Sequence, residues 1–240
     1  MMNLAKSILK KHLTPEKDYI FGFANLEGLT GEKFRDCPYG ISIGRRLDAD
    51  TLDAIKAGPT HAYYEHYKEI NRTLSDQADR IAVELKNNGI KALVVEPSIS
   101  TEEMEGTYGR TLRTELSHKM VATRAGLGWI GKTALLVSRK FGPRVRFVTI
   151  LTDTLPGTTG IPMDRSLCGK CTVCVDACPP SAASGKLWNI RVDRDEFFDA
   201  QRCRETCRRF GEEGLGPEAR VCGICVAVCP IGNRKGNRKL

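Results

Sequence analysis

No run of eighteen apolar residues occurs in this sequence, which excludes a bilayer-spanning helix. The opening thirteen residues, MMNLAKSILKKHL, lack the small-residue cleavage site of a signal peptide. Lysines scattered among their apolar positions read as an amphipathic surface helix. No internal repeat appears beyond one pair of cysteine runs. With no export signal, a disulfide framework loses its usual setting. The ten cysteines therefore point to metal ligation in a reducing compartment, with the cytoplasm as the expected location and no membrane partner.

What is present is most informative near the C-terminal end. Cys168-x2-Cys171-x2-Cys174-x3-Cys178-Pro179 is followed by Cys222-x2-Cys225-x3-Cys229-Pro230. Zinc sites usually come as two separated C-x2-C pairs. Three cysteines at intervals of three instead suit three corners of one iron–sulfur cube, and the fourth, followed by proline, serves a second cube. Thiolates are soft ligands that suit such clusters. The second run lacks a member, because Ala219 stands where a complete repeat would carry cysteine. Its cluster must recruit another ligand, and Cys203 and Cys207 lie upstream. The expected sets are Cys168, Cys171, Cys174 and Cys229 on one [4Fe–4S] cluster, and Cys178, Cys222, Cys225 and one upstream cysteine on the other.

The formal charge is +8. From Ile161 onward there are 14 basic and 10 acidic side chains, an excess of 14 − 10 = 4. Arg234, Lys235, Arg238 and Lys239 of the tail account for all of it. Such a tail can neutralise phosphates; a solvated, frayed terminus is the plainer reading.

Along the chain, 19–24 and 40–44 read as buried strands, 50–57 as a short helix, and a long helix follows, with Pro59 or Thr60 near its start, Gly89 past its end, and Ile70, Leu74, Ile81 and Leu85 on one face. Residues 91–95 read as a strand, 97–109 as a long loop, 112–125 as a helix, and 134–138 and 145–151 as strands. The turn-rich stretch 156–162 reads as a linker. It divides an α+β domain at 1–155 from a cysteine-rich domain at 161–240. In the latter, 179–184 suggests a helix, 187–192 a strand and 194–209 a helix.

Gly126-Leu127-Gly128-Trp129-Ile130-Gly131-Lys132-Thr133 satisfies two phosphate-loop patterns. A phosphate loop needs a buried strand before it and a helix after it. Here a polar, helix-like segment precedes and a strand-like one follows, so nucleotide binding is not expected. These glycines instead let backbone approach something flat, either a cofactor or a neighbouring strand, with Trp129 beside it.

Taken together, AGLGWIGKTALLV, ILTDTLP and the two cysteine runs resemble the epoxyqueuosine reductases, relatives of the reductive dehalogenases, from about Tyr63 to Pro230. The resemblance implies a nitroreductase-like α/β N-terminal domain that binds cobalamin and a ferredoxin-like C-terminal domain with two [4Fe–4S] clusters. It implies electrons from reduced ferredoxin or flavodoxin, passed through the clusters to remove the epoxide oxygen of a modified tRNA base. It places the cofactor loop at Gly126, Leu127, Gly128, Trp129, Gly131 and Lys132. The family's Arg-Cys dipeptide is matched by Arg202-Cys203, which selects Cys203 as the eighth ligand.

The chain also departs from the family pattern. His66-Tyr67-Lys68 stands for Asp-Tyr-His, and Leu112 stands for the catalytic aspartate. The sequence stops soon after the second run, without the helical-repeat extension of many members. Glu115, His118 and Tyr108 are the nearest candidate proton donors, with His66 a further one. Tyr63, Tyr64 and Tyr67 suit either stacking or ordinary packing, and packing is the expectation. Cys37 reads as a buried free thiol, and Cys207 as a spare thiol or alternative ligand.

Overall fold

The computed structural model describes residues 2–99 and 107–232. The basic tail and part of the expected 97–109 loop lie outside the described residues. In chain order the elements are α1 (Met2–His12), β1 (Tyr19–Asn25), β2 (Tyr39–Arg46), α2 (Ala49–Asp53), α3 (His61–Asn87) and β3 (Ala92–Val95). They continue with α4 (Thr107–Thr111), α5 (His118–Arg124), β4 (Gly128–Ile130), β5 (Leu136–Ser138) and β6 (Val145–Thr152). The cysteine-rich part holds α6 (Val173–Asp176), α7 (Ala200–Phe210) and α8 (Ile224–Ala227).

The chain folds as a mixed α/β protein in two compact units. The first comprises Met1–Arg46, Ile70–Leu127 and Arg146–Met163; the second comprises Leu47–Glu69, Gly128–Val145 and Asp164–Leu240. The first unit ends within two residues of the 156–162 linker. The cysteine-rich segment, however, gathers two earlier stretches of chain. Close packing explains one of them. Gly223, with φ +80°, lies so near Ile55 and Tyr63 that a Cβ there would meet the Tyr63 ring at 2.8 Å. Tyr63 and Tyr64 are buried, as packing residues should be.

In the first unit a four-stranded sheet runs β1-β2-β6-β3. β1 and β2 pair antiparallel from Tyr19↔Arg45 to Asn25↔Tyr39. β3 and β6 pair antiparallel from Ala92↔Thr152 to Val95↔Thr149. Ile8, Leu9 and Leu13, Ile70, Leu74, Ile81 and Leu85, and Phe23, Ile41, Ile43, Val148 and Ile150 form its core. Helical spacing set the α3 face and strand alternation set the sheet face. Cys37 is buried with Leu26, Phe34 and Leu116, the free-thiol position expected of it.

Several expected elements differ. The helix read over 112–125 is interrupted: α4 ends before Leu112, which turns left-handed at φ 52°. α5 then restarts behind Ser117, whose side chain accepts from the Met120 N–H. The helix read over 194–209 likewise has two starts. Asp193 caps a short 3-10 turn and Asp199 caps α7. Residues 179–184 and 187–192 form neither helix nor strand. They are held instead by isolated bridges, Ala183↔Phe198 and Arg165↔Asn189. β4 was not anticipated, because it begins at Gly128 and is followed at once by Gly131.

Candidate iron–sulfur site

The second unit carries nine of the ten cysteines, none of them in a disulfide. The C-x2-C spacings wind single helical turns. α6 contains Cys174, α8 contains Cys225, and Cys171 donates its N–H to the Cys168 carbonyl at 3.2 Å. α7 carries Cys203 and Cys207 one turn apart, on one face of the helix.

Two groups of thiols result. Burial pushes Cys229 up to about 11, and its charged neighbours are Cys174, Cys168 and Cys171. Cys174 is raised by burial and then by Cys168 and Cys171. In the other group, burial pushes Cys222 up to about 11 beside Cys203 and Cys178. Cys225 is raised by burial, then by Cys222 and Cys203. Cys207 is raised first by its hydrogen bond with Cys203, then by burial. Crowded thiols resist ionising together unless a metal centre takes up their charge.

Among the described residues no three cysteine, histidine or carboxylate side chains close on a single metal ion. In a cubane each thiolate binds its own iron, so its four sulfurs stand farther apart than the ligands of one ion. The neighbours of Cys229 and Cys222 come from their own expected sets, Cys225 also has Cys174 of the other set nearby, and Cys207 lies beside Cys203.

The segment read as a cofactor loop lies partly in each unit. Gly126 and Leu127 belong to the first and keep some exposed surface. A Cβ on Gly126 would meet the Ile161 carbonyl oxygen at 2.8 Å. Gly128, Trp129, Gly131 and Lys132 belong to the second and are buried. Gly128 faces β5, where a Cβ would stand 2.2 Å from the Val137 carbonyl oxygen. β4 and β5 pair antiparallel, Trp129 opposite Val137. The phosphate-loop pattern is therefore a hairpin: Gly131 N–H donates to Leu135 O, and Ala134 N–H to Gly131 O. For cobalamin the fit is partial. Gly126 and Leu127 retain surface that a flat macrocycle could cover, whereas the other four residues are packed against protein.

The candidate proton donors have different surroundings. His118 lies at the start of α5, with Nδ1 2.8 Å from Thr149 Oγ1 and Nε2 2.8 Å from the Glu96 carbonyl oxygen. A carbonyl only accepts, so Nε2 carries the proton and Nδ1 accepts from the threonine hydroxyl. Burial pushes this ring down to about 4. Glu115 is exposed and paired with Lys33. Tyr108 sits half-buried in α4. His66 accepts from the Asp48 N–H at 3.0 Å, a loop-holding role.

Residues 167–232 match the family described as the 4Fe-4S double cluster binding domain. Over 200 residues the sequence is 31% identical to epoxyqueuosine reductase of Pseudomonas aeruginosa, an alignment that takes in 77% of this chain and 48% of that enzyme. The chain resembles epoxyqueuosine reductase over most of its own length. It spans less than half the length of that relative. A solved epoxyqueuosine reductase bound to an epoxyqueuosine-modified tRNA-Tyr stem loop aligns with TM-score 0.59 at 18% identity, covering 98% of this chain and 66% of the other. A solved B12-dependent reductive dehalogenase aligns with TM-score 0.64 at 17% identity, covering 91% of this chain and 31% of the other. At these identities the two structures show a shared fold. No helix among the described residues is long and apolar enough to cross a membrane.

Two features escaped sequence reasoning. One is the role of Trp129, read as packing beside a cofactor loop, whose indole N–H donates to Cys168 Sγ at 3.3 Å. The other is Arg144, 4% exposed, which donates to the Ala227 carbonyl within the second cysteine run. Its position in a short turn carried no motif.

Proposed function

We propose that this chain is an iron–sulfur oxidoreductase of the epoxyqueuosine reductase type. The observation that carries this reading is the pair of thiol neighbourhoods inside the segment matched as a double-cluster domain. Cys168, Cys171, Cys174 and Cys229 would hold one [4Fe–4S] cluster. Cys178, Cys203, Cys222 and Cys225 would hold the other. The clusters supply one-electron relay. The architecture is then a nitroreductase-like part, residues 1–155 in linear terms, and a ferredoxin-like part, residues 161–240.

The reaction in this reading removes the oxygen of an epoxide carried on tRNA. Both C–O bonds break, a C=C bond forms, and two electrons and two protons release the oxygen as water. Reduced ferredoxin or flavodoxin is the donor class, and the cytoplasm is the compartment. A corrinoid, when bound, would supply the reductive chemistry at the substrate; Gly126 and Leu127 are the residues with surface left for it. The chain's own part is to deliver electrons and protons. His118 has both ring nitrogens engaged and stays neutral at physiological pH, so it positions Thr149 and the Glu96 loop. Tyr108 and Glu115 remain as donors, and the Tyr108→Phe and Glu115→Gln variants test them.

One observation favours a second reading. Leu112 occupies the place where the family resemblance puts a catalytic acid, which suits an electron-transfer partner without turnover of its own. Anaerobic purification with cobalamin supplied, followed by assay on epoxyqueuosine-containing tRNA, separates them. Bound corrinoid with turnover supports the reductase. Clusters without corrinoid or turnover support the carrier, and tRNA retention without turnover supports a binding role.

A further inference from the structure

The hairpin turn between β4 and β5 brings three unlike side chains toward the cysteine sulfurs of its own unit. Trp129, with no exposed surface, donates its indole N–H to Cys168 Sγ at 3.3 Å. Gly131 lies so close that a Cβ there would stand 3.7 Å from the same sulfur. Thr133, also buried, hydrogen-bonds Cys225. Between them stands Lys132, only 5% exposed, with Cys174 as a charged neighbour.

A buried ammonium ion needs an anionic partner, because desolvation of an unpaired charge costs several kcal/mol. Among the described residues no carboxylate pairs with Lys132. Arg144, the other buried cation of this unit, is provided for: Asp53 lies 4.0 Å away and the Ala227 carbonyl accepts from it. The thiol group of Cys168, Cys171, Cys174 and Cys229 is the remaining source of negative charge near Lys132. A [4Fe–4S] core held by four thiolates is a net anion and gains a further negative charge on reduction. Nearby charge and hydrogen bonds to its sulfurs set the reduction potential.

We infer that the Trp129–Thr133 turn is the electrostatic seat of the clusters, with Lys132 the counter-ion of the Cys168/Cys171/Cys174/Cys229 cluster. This rests on the iron–sulfur reading above. Lys132 acts as a positioning residue for charge, without ligating iron. Its ammonium favours the reduced cluster over the oxidised one, and the Trp129 N–H adds to the effect through Cys168. Thr133 makes the corresponding contact on the second cluster, so one turn touches both.

The test is a redox titration of the anaerobic holoprotein followed by electron paramagnetic resonance, on wild type and the Lys132→Met, Lys132→Arg and Trp129→Phe variants. Wild-type iron content comes first: zinc, or no cluster signal, sinks the iron–sulfur reading itself. With clusters present, Lys132→Met and Trp129→Phe should move one cluster to a more negative potential and leave the other much less changed. Lys132→Arg should hold it near the wild-type value. Unchanged potentials in Lys132→Met would overturn the inference while leaving the clusters intact. Should Lys132→Met retain no iron, full iron in Lys132→Arg supports the charge role, and loss in both variants overturns it.

Discussion

His118 shows how far a single residue's chemistry is set by what surrounds it. A histidine near a suspected site invites an acid–base role, but a donor to Glu96 O and an acceptor from Thr149 leave it nothing to give. Its folded pKa, about 4, lies below the 6.5 of an ordinary histidine. Between those values the unfolded chain binds more protons, so the stability His118 confers is present above pH 6.5 and is lost as pH falls through about 4. At 1.36 kcal/mol per unit the effect reaches at most about 3 kcal/mol. Long-range proton–nitrogen NMR should find the neutral Nε2–H tautomer from pH 8 down to 5. An imidazolium signal at pH 6 would refute this. The cysteines of α7 offer a second test at this scale. With Cys203 as the ligand, Cys203→Ser loses one cluster, about four irons per chain. Cys207→Ser keeps both, because Cys207 only donates to its neighbour. Iron analysis with Mössbauer spectroscopy distinguishes the two, and the reverse pattern would reassign the ligand.

Among the elements, the break between α4 and α5 matters most. The sequence reads as one helix over 112–125, and two local features interrupt it: the left-handed Leu112 and the capping Ser117. A left-handed non-glycine residue costs about 1–2 kcal/mol, and asparagine and aspartate tolerate it best. Leu112→Asn and Leu112→Asp should therefore melt no lower than wild type. Leu112→Val, with a branched Cβ, should melt several degrees lower by calorimetry. Leu112→Asp also restores a carboxyl at the position where the family resemblance expects one. Gained turnover on epoxyqueuosine-containing tRNA in that variant would mark the missing proton donor as the one lost part. The β4–β5 hairpin makes the complementary point. Its glycines match a phosphate loop letter for letter, yet Gly126 and Gly128 give room to protein backbone and Gly131 to the Val137 side chain, and Trp129 of the hairpin donates to cysteine sulfur.

For the whole molecule, two compact units imply two responses to metal loss. The second unit gathers nine thiols around two neighbourhoods, and the cluster binding energy there is also folding energy. Removing iron with a chelator and reductant should expose the 167–232 segment to trypsin while the β1–β2 hairpin of the first unit stays protected. Equal protection of both with and without iron would show that the clusters add nothing to folding. Iron analysis of the intact anaerobic protein should give about eight irons per chain. The cysteine spacings alone determined the cluster class and seven expected ligands, because a cubane dictates where along the chain its ligands fall; only the family resemblance, through Arg202-Cys203, singled out the eighth. Apolar periodicity likewise determined α3 and the sheet strands, since burial of one face depends on nothing but spacing. Only the tertiary structure decided that residues 47–69 and 128–145 join the cysteine-rich unit. It alone decided that His118 is fully engaged, and that the Gly-Trp-Ile-Gly-Lys-Thr turn faces sulfur. Each of those depends on contacts between residues far apart in sequence, and no local pattern records which distant surface a turn will meet.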